Sequence, residues 1–342
     1  MVSGMKNNQD KIDFVIIWVD GNDPKWQKEK KKYDPKADSD NRIIRYRDWG
    51  ILNYWFRGVE KFAPWVNKIH FVTWGHLPEW LDTSNPKLHI VNHRDYMPEE
   101  YLPTFSSHTI ELNLHRIEGL AEKFVYFNDD FFLTDVVKPE DFFKNGKPMD
   151  CCSLNVHCVK KSLIIQNICN NDVSLINEHF DFKKSIKENR KKWFSLKNGK
   201  ELLRTLVLLK CPRFPGFYQT HLAHSYLKST FEEVWEKEFD VLNETCSHKF
   251  RNVNDVNQWL FREWQIASGN FENRSYKFGE TFYIDRDGLD LKYKIIDYIV
   301  KQKRKLIAIN DSDMSEEEFE QLTADIKNAF DKILPDKCSF EK

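Results

Sequence analysis

Residues 12–24 read Ile12-Asp-Phe-Val-Ile-Ile-Trp-Val-Asp-Gly-Asn-Asp-Pro24. Up to Val19 the run is too continuously apolar for a strand with one face in water, so it belongs at the centre of a sheet covered on both sides. Asp20 to Pro24 is a turn-forming cluster that exposes two carboxylates, Asp20 and Asp23, where the strand stops. Further on, Trp49, Leu52, Phe56, Val59 and Ala63 mark a helix stopped by Pro64, followed by strand-like Lys68 to Trp74 and Leu88 to Val91. Strand, helix, strand is the rhythm of a parallel sheet and predicts an α/β fold.

Phe105 to Asp130 adds candidate chemistry. Ile110, Leu114 and Ile117 recur at helical spacing and leave Glu111, His115 and Glu118 on another face, with Gly119-Leu120 as the helix end. Phe124-Val-Tyr-Phe127 reads as a short buried strand. Asn128-Asp129-Asp130 emerges where it stops, at the kind of edge where open α/β sheets bind ligands. Near the carboxyl end, Leu291, Ile295 and Ile299 mark a helix, and Leu306-Ile-Ala-Ile309 is a strand ending at Asn310-Asp311. Ser315-x-x-Glu318 is a capping box that opens a helix with the stripe Phe319, Leu322, Ile326, Phe330 and Ile333. The expected fold class is therefore a Rossmann-like open, mainly parallel sheet flanked by helices, drawing strands from both ends of the chain. If those strands are parallel neighbours, Asp20, Asp23, Asp129, Asp130 and Asp311 converge on one crevice. Crowded carboxylates repel, and Mg²⁺ (or Mn²⁺), which takes oxygen ligands together with substrate phosphates, would resolve the conflict.

Bulk properties exclude several classes. The chain has 342 residues, 52 Lys and Arg against 53 Asp and Glu, 14% aromatic residues and only 12 glycines. No global field points to nucleic acid, and disorder does not fit. The amino terminus runs into the first strand without an apolar signal region, and no segment reaches the roughly 18 uncharged residues of a membrane span. Seven cysteines without a Cys-x-x-Cys suit free thiols in a reducing compartment, so the expected location is cytoplasmic. His157-Cys158 beside Cys151-Cys152 has the wrong spacing for a usual zinc site.

From about Lys160 to Lys210 the rhythm breaks, with Lys and Arg interleaved among Phe, Trp and Leu. We read about 155–212 as a helical insertion in a single catalytic domain spanning 1–342, with 213–342 completing the core. The insertion is read either as a solvated amphipathic cap or as a surface that meets an anionic acceptor or the inner face of a membrane. Arg42, Arg45 and Arg47 precede the first helix, with Asp48 placed to cap it, and such a cluster can bind phosphate. Downstream, His221, His224, His248 and Arg251 supply mobile protons and a fixed cation.

Together these residues resemble the Stealth family of sugar-phosphate transferases. The resemblance rests on Asp13 to Pro24; on Arg57-Gly-Val-Glu-Lys-Phe-Ala-Pro-Trp-Val66, Pro103-Thr-Phe-Ser-Ser107 and Asn128-Asp-Asp130; on Phe217 to Arg251; and on Lys305 to Asp311 with Ser339-Phe-Glu341. It implies transfer of a hexose or N-acetylhexosamine 1-phosphate from a UDP-sugar to a hydroxyl of an oligosaccharide or polysaccharide acceptor, lipid-linked ones included. A phosphodiester would form and UMP leave, in capsule or exopolysaccharide synthesis. Family catalytic positions map onto Glu111, Asp130, His221 and Arg251. The first block, with Trp18, Asp20, Gly21, Asn22 and Asp23, would contact the nucleotide, beside Arg45 and Arg47. Asp129, Asp130 and Asp311 are the expected metal ligands, with Asn128, His224, His248 and Asn310 as further candidates. Cys246 departs from the serine often found in relatives. His221 or Glu111 would serve as base, or His221 would form a covalent phosphoramidate. Two other classes remain: a metal-dependent glycosyltransferase releasing UDP, and a non-catalytic carbohydrate-binding assembly factor.

Overall fold

The computed structural model describes residues 11–33, 46–284, 290–311 and 314–342. The apolar run forms β1 (Ile12–Trp18), paired parallel on one side with β2 (Ile69–Thr73). β3 (Leu88–Asn92) continues the sheet parallel to β2. On the other side of β1 lies β4 (Lys123–Phe127), also parallel, and the chain then enters β5 (Phe131–Leu133). β6 (His224–Leu227) closes the far edge antiparallel to β4, so the order is β3-β2-β1-β4-β6. The central, mainly parallel sheet is as the sequence predicts.

The one charge inside β1, Asp13, is fully buried and accepts from Asn67 Nδ2 at 2.7 Å, Lys68 N at 3.1 Å and Ala121 N at 2.9 Å, with His70 Nε2 at 3.0 Å. Burial alone would raise its pKa. The bonds from His70, Asn67 and Ala121 outweigh that and hold the carboxyl below its ordinary range.

Three expectations need correction. The strand before Asp311, β8 (Leu306–Asn310), is not in the main sheet: it lies between β7 (Gly279–Tyr283), parallel to it, and β5, antiparallel to it. The Asn128–Asp130 turn carries the chain out of β4, and Ile309 N donates to Asp130 O at 3.0 Å, so β8 pairs with the continuation instead of with β4. The second correction concerns the acidic face after Phe105. A helix forms only over Ser107–Leu112, followed by a 3₁₀ turn at Leu114–Arg116. Trp235 Nε1 takes the Leu112 carbonyl at 2.8 Å and Asn113 Nδ2 takes that of Thr109 at 2.8 Å, which diverts the helical ladder. His115 consequently packs between Phe231 and Trp235, where burial pushes its pKa down to about 3, and Glu118 lies in water. Third, Asp48 does not cap the helix Leu52–Phe62. Ile51 holds that position without a side-chain bond, and Asp48 Oδ1 accepts from Gly50 N instead.

After Leu154 the chain makes a long excursion and returns beside its departure point, with Asn155 N donating to Gly216 O at 3.0 Å and Tyr218 N to Ser153 O at 2.8 Å. It contains the helices Ile164–His179, Phe182–Glu188, Arg190–Trp193 and Glu201–Leu208. The last helix, Glu316–Ile333, opens with the Ser315–Glu318 capping box and buries Phe319, Leu322, Ile326, Phe330 and Ile333. Beyond it, Glu341 receives Arg57 Nε at 2.7 Å and Nη2 at 2.9 Å, strapping the carboxyl terminus across the helix Leu52–Phe62.

Candidate active site

A cleft of about 580 Å³ opens at the carboxyl ends of β1 and β4. Glu111, Asp130, His221 and Arg251, contributed by four separate segments, all line it. Trp18, Arg47, Asp48, Ser107, His108, Asn128, Asp129, Gln219, Asn310 and Asp311 are also in its wall.

Asp130 and His221 meet directly, Nε2 to Oδ2 at 3.0 Å, and the imidazole edge rests on the Phe131 ring at 4.8 Å between centroids. Asp130 Oδ1 is buried and has no hydrogen-bond partner among the described residues. Glu111 is almost wholly buried, with Oε1 accepting from the Tyr126 hydroxyl at 2.9 Å and Oε2 without a hydrogen-bond partner among the described residues. Tyr126 also touches the Asn128 side chain. Burial dominates at Glu111 and pushes its pKa up to about 7, against the opposing pull of Arg251, Tyr126 and Ser107. Ser107 lies beside two of the catalytic candidates: its Oγ accepts from Arg251 Nη2 at 2.7 Å, and it draws the Glu111 pKa down.

Asp129 keeps a water-accessible side chain, yet the concave wall desolvates it and the neighbouring Asp130 and Asp48 repel it, so its pKa rises to about 8. Asp48 is raised as well, by partial burial and by Asp20, although Gly50 N and Lys327 pull the other way. No group of three or more His, Cys, Asp or Glu side chains among the described residues is arranged to hold a metal. The neighbouring Asp129 and Asp130 do suit Mg²⁺ or Mn²⁺, because such ions commonly take one or two carboxylates and fill the other positions with water and substrate phosphate. The unpartnered Asp130 Oδ1 and the charge crowding at Asp129 are the observations behind that fit.

Other candidates are engaged in contacts of their own. Asp311, expected as a metal ligand, and Arg47, expected on phosphate, form one forked pair: Nε to Oδ2 at 2.8 Å and Nη2 to Oδ1 at 2.5 Å, with the guanidinium 4.0 Å over the Phe319 ring. Arg42 and Arg45 lie outside the described residues. Of the first block only Trp18 reaches the cleft. Asp20 Oδ1 accepts from Asn22 N, Asp23 caps the helix Pro24–Lys32 through Lys25 N, and both brace His76, whose Nε2 accepts from Asp20 N while Nδ1 lies 3.0 Å from Asp23 Oδ2. Gly21 packs so closely on Tyr46 that a Cβ would fall 2.0 Å from its carbonyl oxygen. Gly21 therefore sits directly against Tyr46, the residue before Arg47 and Asp48. His224 is buried in β6 with its pKa pushed down to about 3, by burial first, and His248 is bound to Asp255 at 2.6 Å, so neither lines the cleft.

A smaller chamber of about 130 Å³ adjoins the cleft and shares Trp18, Ser107, Asn128, Asp129 and Arg251 with it. Its own walls include Trp26, Tyr46, Phe105 and His93.

Two family models match the chain: Stealth protein CR1, conserved region 1, over residues 10–38, and Stealth protein CR2, conserved region 2, over residues 45–150. The capsular polysaccharide phosphotransferase WcwK of Streptococcus pneumoniae is 44% identical over 338 residues, covering 98% of this chain and 99% of that protein. The chain belongs to the Stealth family. Two other relatives are the receptor polysaccharide phosphotransferase WefC of Streptococcus oralis, 42% identical over 97% of this chain and 99% of that one, and the exopolysaccharide phosphotransferase cps2G of Lactiplantibacillus plantarum, 39% identical over 97% and 96%. Among solved structures, the galactosyltransferase LgtC in complex with donor and acceptor sugar analogs aligns over 91% of this chain and 95% of that one, with TM-score 0.39 and 11% identity. The Stealth region 2 match takes in Asp48, Ser107, His108, Glu111 and Asp130 of the cleft wall. Asp48, Ser107 and His108 were not singled out as site residues from the sequence. Ser107 and His108 precede Glu111 by four and three positions, so the helical period that placed Glu111 also pointed to them on its amino-terminal side.

Proposed function

We propose that this protein transfers a sugar-1-phosphate from a UDP-sugar to a hydroxyl of an oligosaccharide or polysaccharide acceptor, forming a phosphodiester and releasing UMP. The observation that carries this reading is the assembly of Glu111, Asp130, His221 and Arg251 around one cleft from segments far apart in the chain. The relatives named as polysaccharide phosphotransferases support it.

In this reading the acceptor hydroxyl loses its proton to Glu111, whose raised pKa matches a base working near neutrality, while the oxygen attacks the sugar-linked phosphorus in line with the departing UMP oxygen. Arg251 faces the equatorial phosphoryl oxygens, where its fixed charge offsets the charge of the transition state. His221, oriented by Asp130, binds the same group from the other side. The aromatic side chamber, continuous with the cleft through Trp18 and Asn128, takes the nucleobase by stacking. Mg²⁺ or Mn²⁺ held by Asp129 and Asp130 would neutralise charge on the diphosphate.

Incubation with a panel of UDP-sugars, capsule oligosaccharides and Mg²⁺, read by mass and phosphorus NMR, tests the reaction. UMP and a phosphodiester are expected. UDP with no phosphorus in the product would overturn the reading in favour of a glycosyltransferase. A donor chiral at phosphorus tests the single displacement, which must invert; retention would place the covalent bond on His221.

A further inference from the structure

The surface of the excursion between Leu154 and Phe217 combines two properties, exposed apolar side chains and positive charge. Eight of the thirteen large apolar side chains exposed among the described residues lie between Val156 and Val207. Within the helix Glu201–Leu208, Leu203, Leu206 and Val207 are 69%, 46% and 74% exposed, and Leu196 just before it is 89% exposed. Their i, i+3, i+4 spacing makes one helical face. The opposite face is committed to the protein: Glu201 and Thr205 are buried, Leu154 N donates to Thr205 Oγ1 at 3.0 Å, and Arg204 reaches Asn155 Oδ1 at 3.1 Å. The exposed residues are therefore not the frayed side of a loose helix.

The second property is charge. Residues 156–213 carry thirteen Lys and Arg against five Asp and Glu, a local net of +8 in a chain whose formal net charge is −1. Lys191, Lys197, Lys200 and Lys210, near the apolar face in sequence, are exposed. We infer that this face docks on an anionic lipid bilayer, with Leu196, Leu203, Leu206 and Val207 in the interfacial layer and the surrounding lysines on lipid phosphates. A second copy of the chain fits poorly there, because it would set the same net positive charge against itself. Val156, Val159, Leu163 and Ile165 of the same excursion are exposed as well, and Ile165 lines the cleft. Docking would thus bring the cleft mouth to the membrane plane, where a lipid-linked acceptor is presented. No helix among the described residues is long and apolar enough to cross a membrane, so the attachment proposed is to the surface.

The test is co-flotation of the whole protein, without substrates, with vesicles of phosphatidylcholine alone and with vesicles containing phosphatidylglycerol. Binding is expected only to the anionic vesicles and should weaken with salt. Leu203→Asp with Val207→Asp should reduce the partition by on the order of tenfold or more, because it places two charges in the interfacial layer. Lys200→Glu with Lys210→Glu should reduce it by a similar amount. Turnover on a water-soluble acceptor should be unchanged in both double variants, which also shows that they are folded. Failure to float with anionic vesicles, equal binding to neutral ones, or full binding by Leu203→Asp/Val207→Asp would each overturn the proposal. A concentration-dependent dimer abolished by that variant would overturn it in favour of self-association. Because flotation needs no substrate, these outcomes are independent of which reaction the cleft performs.

Discussion

Glu111 is the residue where burial and chemistry are most tightly joined. Its raised pKa has opposite consequences for stability and activity. The folded pKa of about 7 lies above the group's ordinary value of 4.5, so the group costs folding stability progressively as pH rises from about 4.5 to about 7. Glu111→Gln should therefore be more stable than the parent above pH 7, by thermal melting, while losing the rise in kcat/KM that the parent shows as pH passes through about 7. If that rise persists in Glu111→Gln and disappears in His221→Ala, the base is His221. Arg251→Ala should lose at least roughly a hundredfold in rate, as expected for removal of an electrostatic stabiliser, with its melting temperature little changed. Convergence of Glu111, Asp130, His221 and Arg251 was legible in residue type and in the resemblance of their surroundings to a family. The role of Asp48 was not, because Asp before a helix is normally a cap and only the path of residues 46–50 turns its carboxyl toward Asp129.

At the scale of elements, the strand β1 was readable end to end because a run of Phe, Val, Ile and Trp has no face to give to water. The turn after it also has a structural role. Asp20, Asn22 and Asp23 satisfy one another, His76 and the start of the next helix, so the turn acts as a brace. Gly21→Ala tests that function. Its Cβ would strike the backbone of Tyr46, and a rigid neighbour cannot yield as a side-chain tip would. We expect a loss of about 1–3 kcal/mol in chemical denaturation. We also expect a rise in KM for the donor, since Tyr46 walls the side chamber and Arg47 and Asp48 follow it into the cleft. An unchanged donor KM would detach the turn from nucleotide binding. The helix after Phe105 shows the converse limit: its period was visible, but its end is set by Trp235, more than a hundred residues away.

The whole molecule is closed by contacts between distant segments. Arg57 and Glu341 form a bidentate pair with Glu341 almost fully buried, and Lys342 N donates to Trp80 O at 2.8 Å. Burial raises the Glu341 pKa, but Arg57 and Cys338 N outweigh it and hold the carboxyl below its ordinary range. A depressed carboxylate stabilises above its unfolded pKa and loses that contribution as pH falls through the folded one, so this strap should fail only in acid, below about pH 4.5. Glu341→Ala should cost up to roughly 3 kcal/mol near neutrality, because it takes both carboxylate bonds from Arg57 and leaves it the Leu334 carbonyl and Asp331 at 3.8 Å, and its deficit should shrink in acid. An equal deficit at all pH values would assign the effect to packing of Phe340 instead.

By itself the sequence determined several of the strands and helices, that the first strand is central, and which acids stand at strand ends. Those properties follow from side-chain hydrophobicity and local period, which act over a few residues. Only the tertiary structure decided that Leu306–Asn310 joins Phe131–Leu133 in a second sheet, that Arg47 occupies both oxygens of Asp311, and that Asp48 crowds Asp129. These outcomes depend on which buried backbone groups and charges find partners across the fold. That competition is settled by long-range packing and desolvation, for which no local pattern of residues carries a signal.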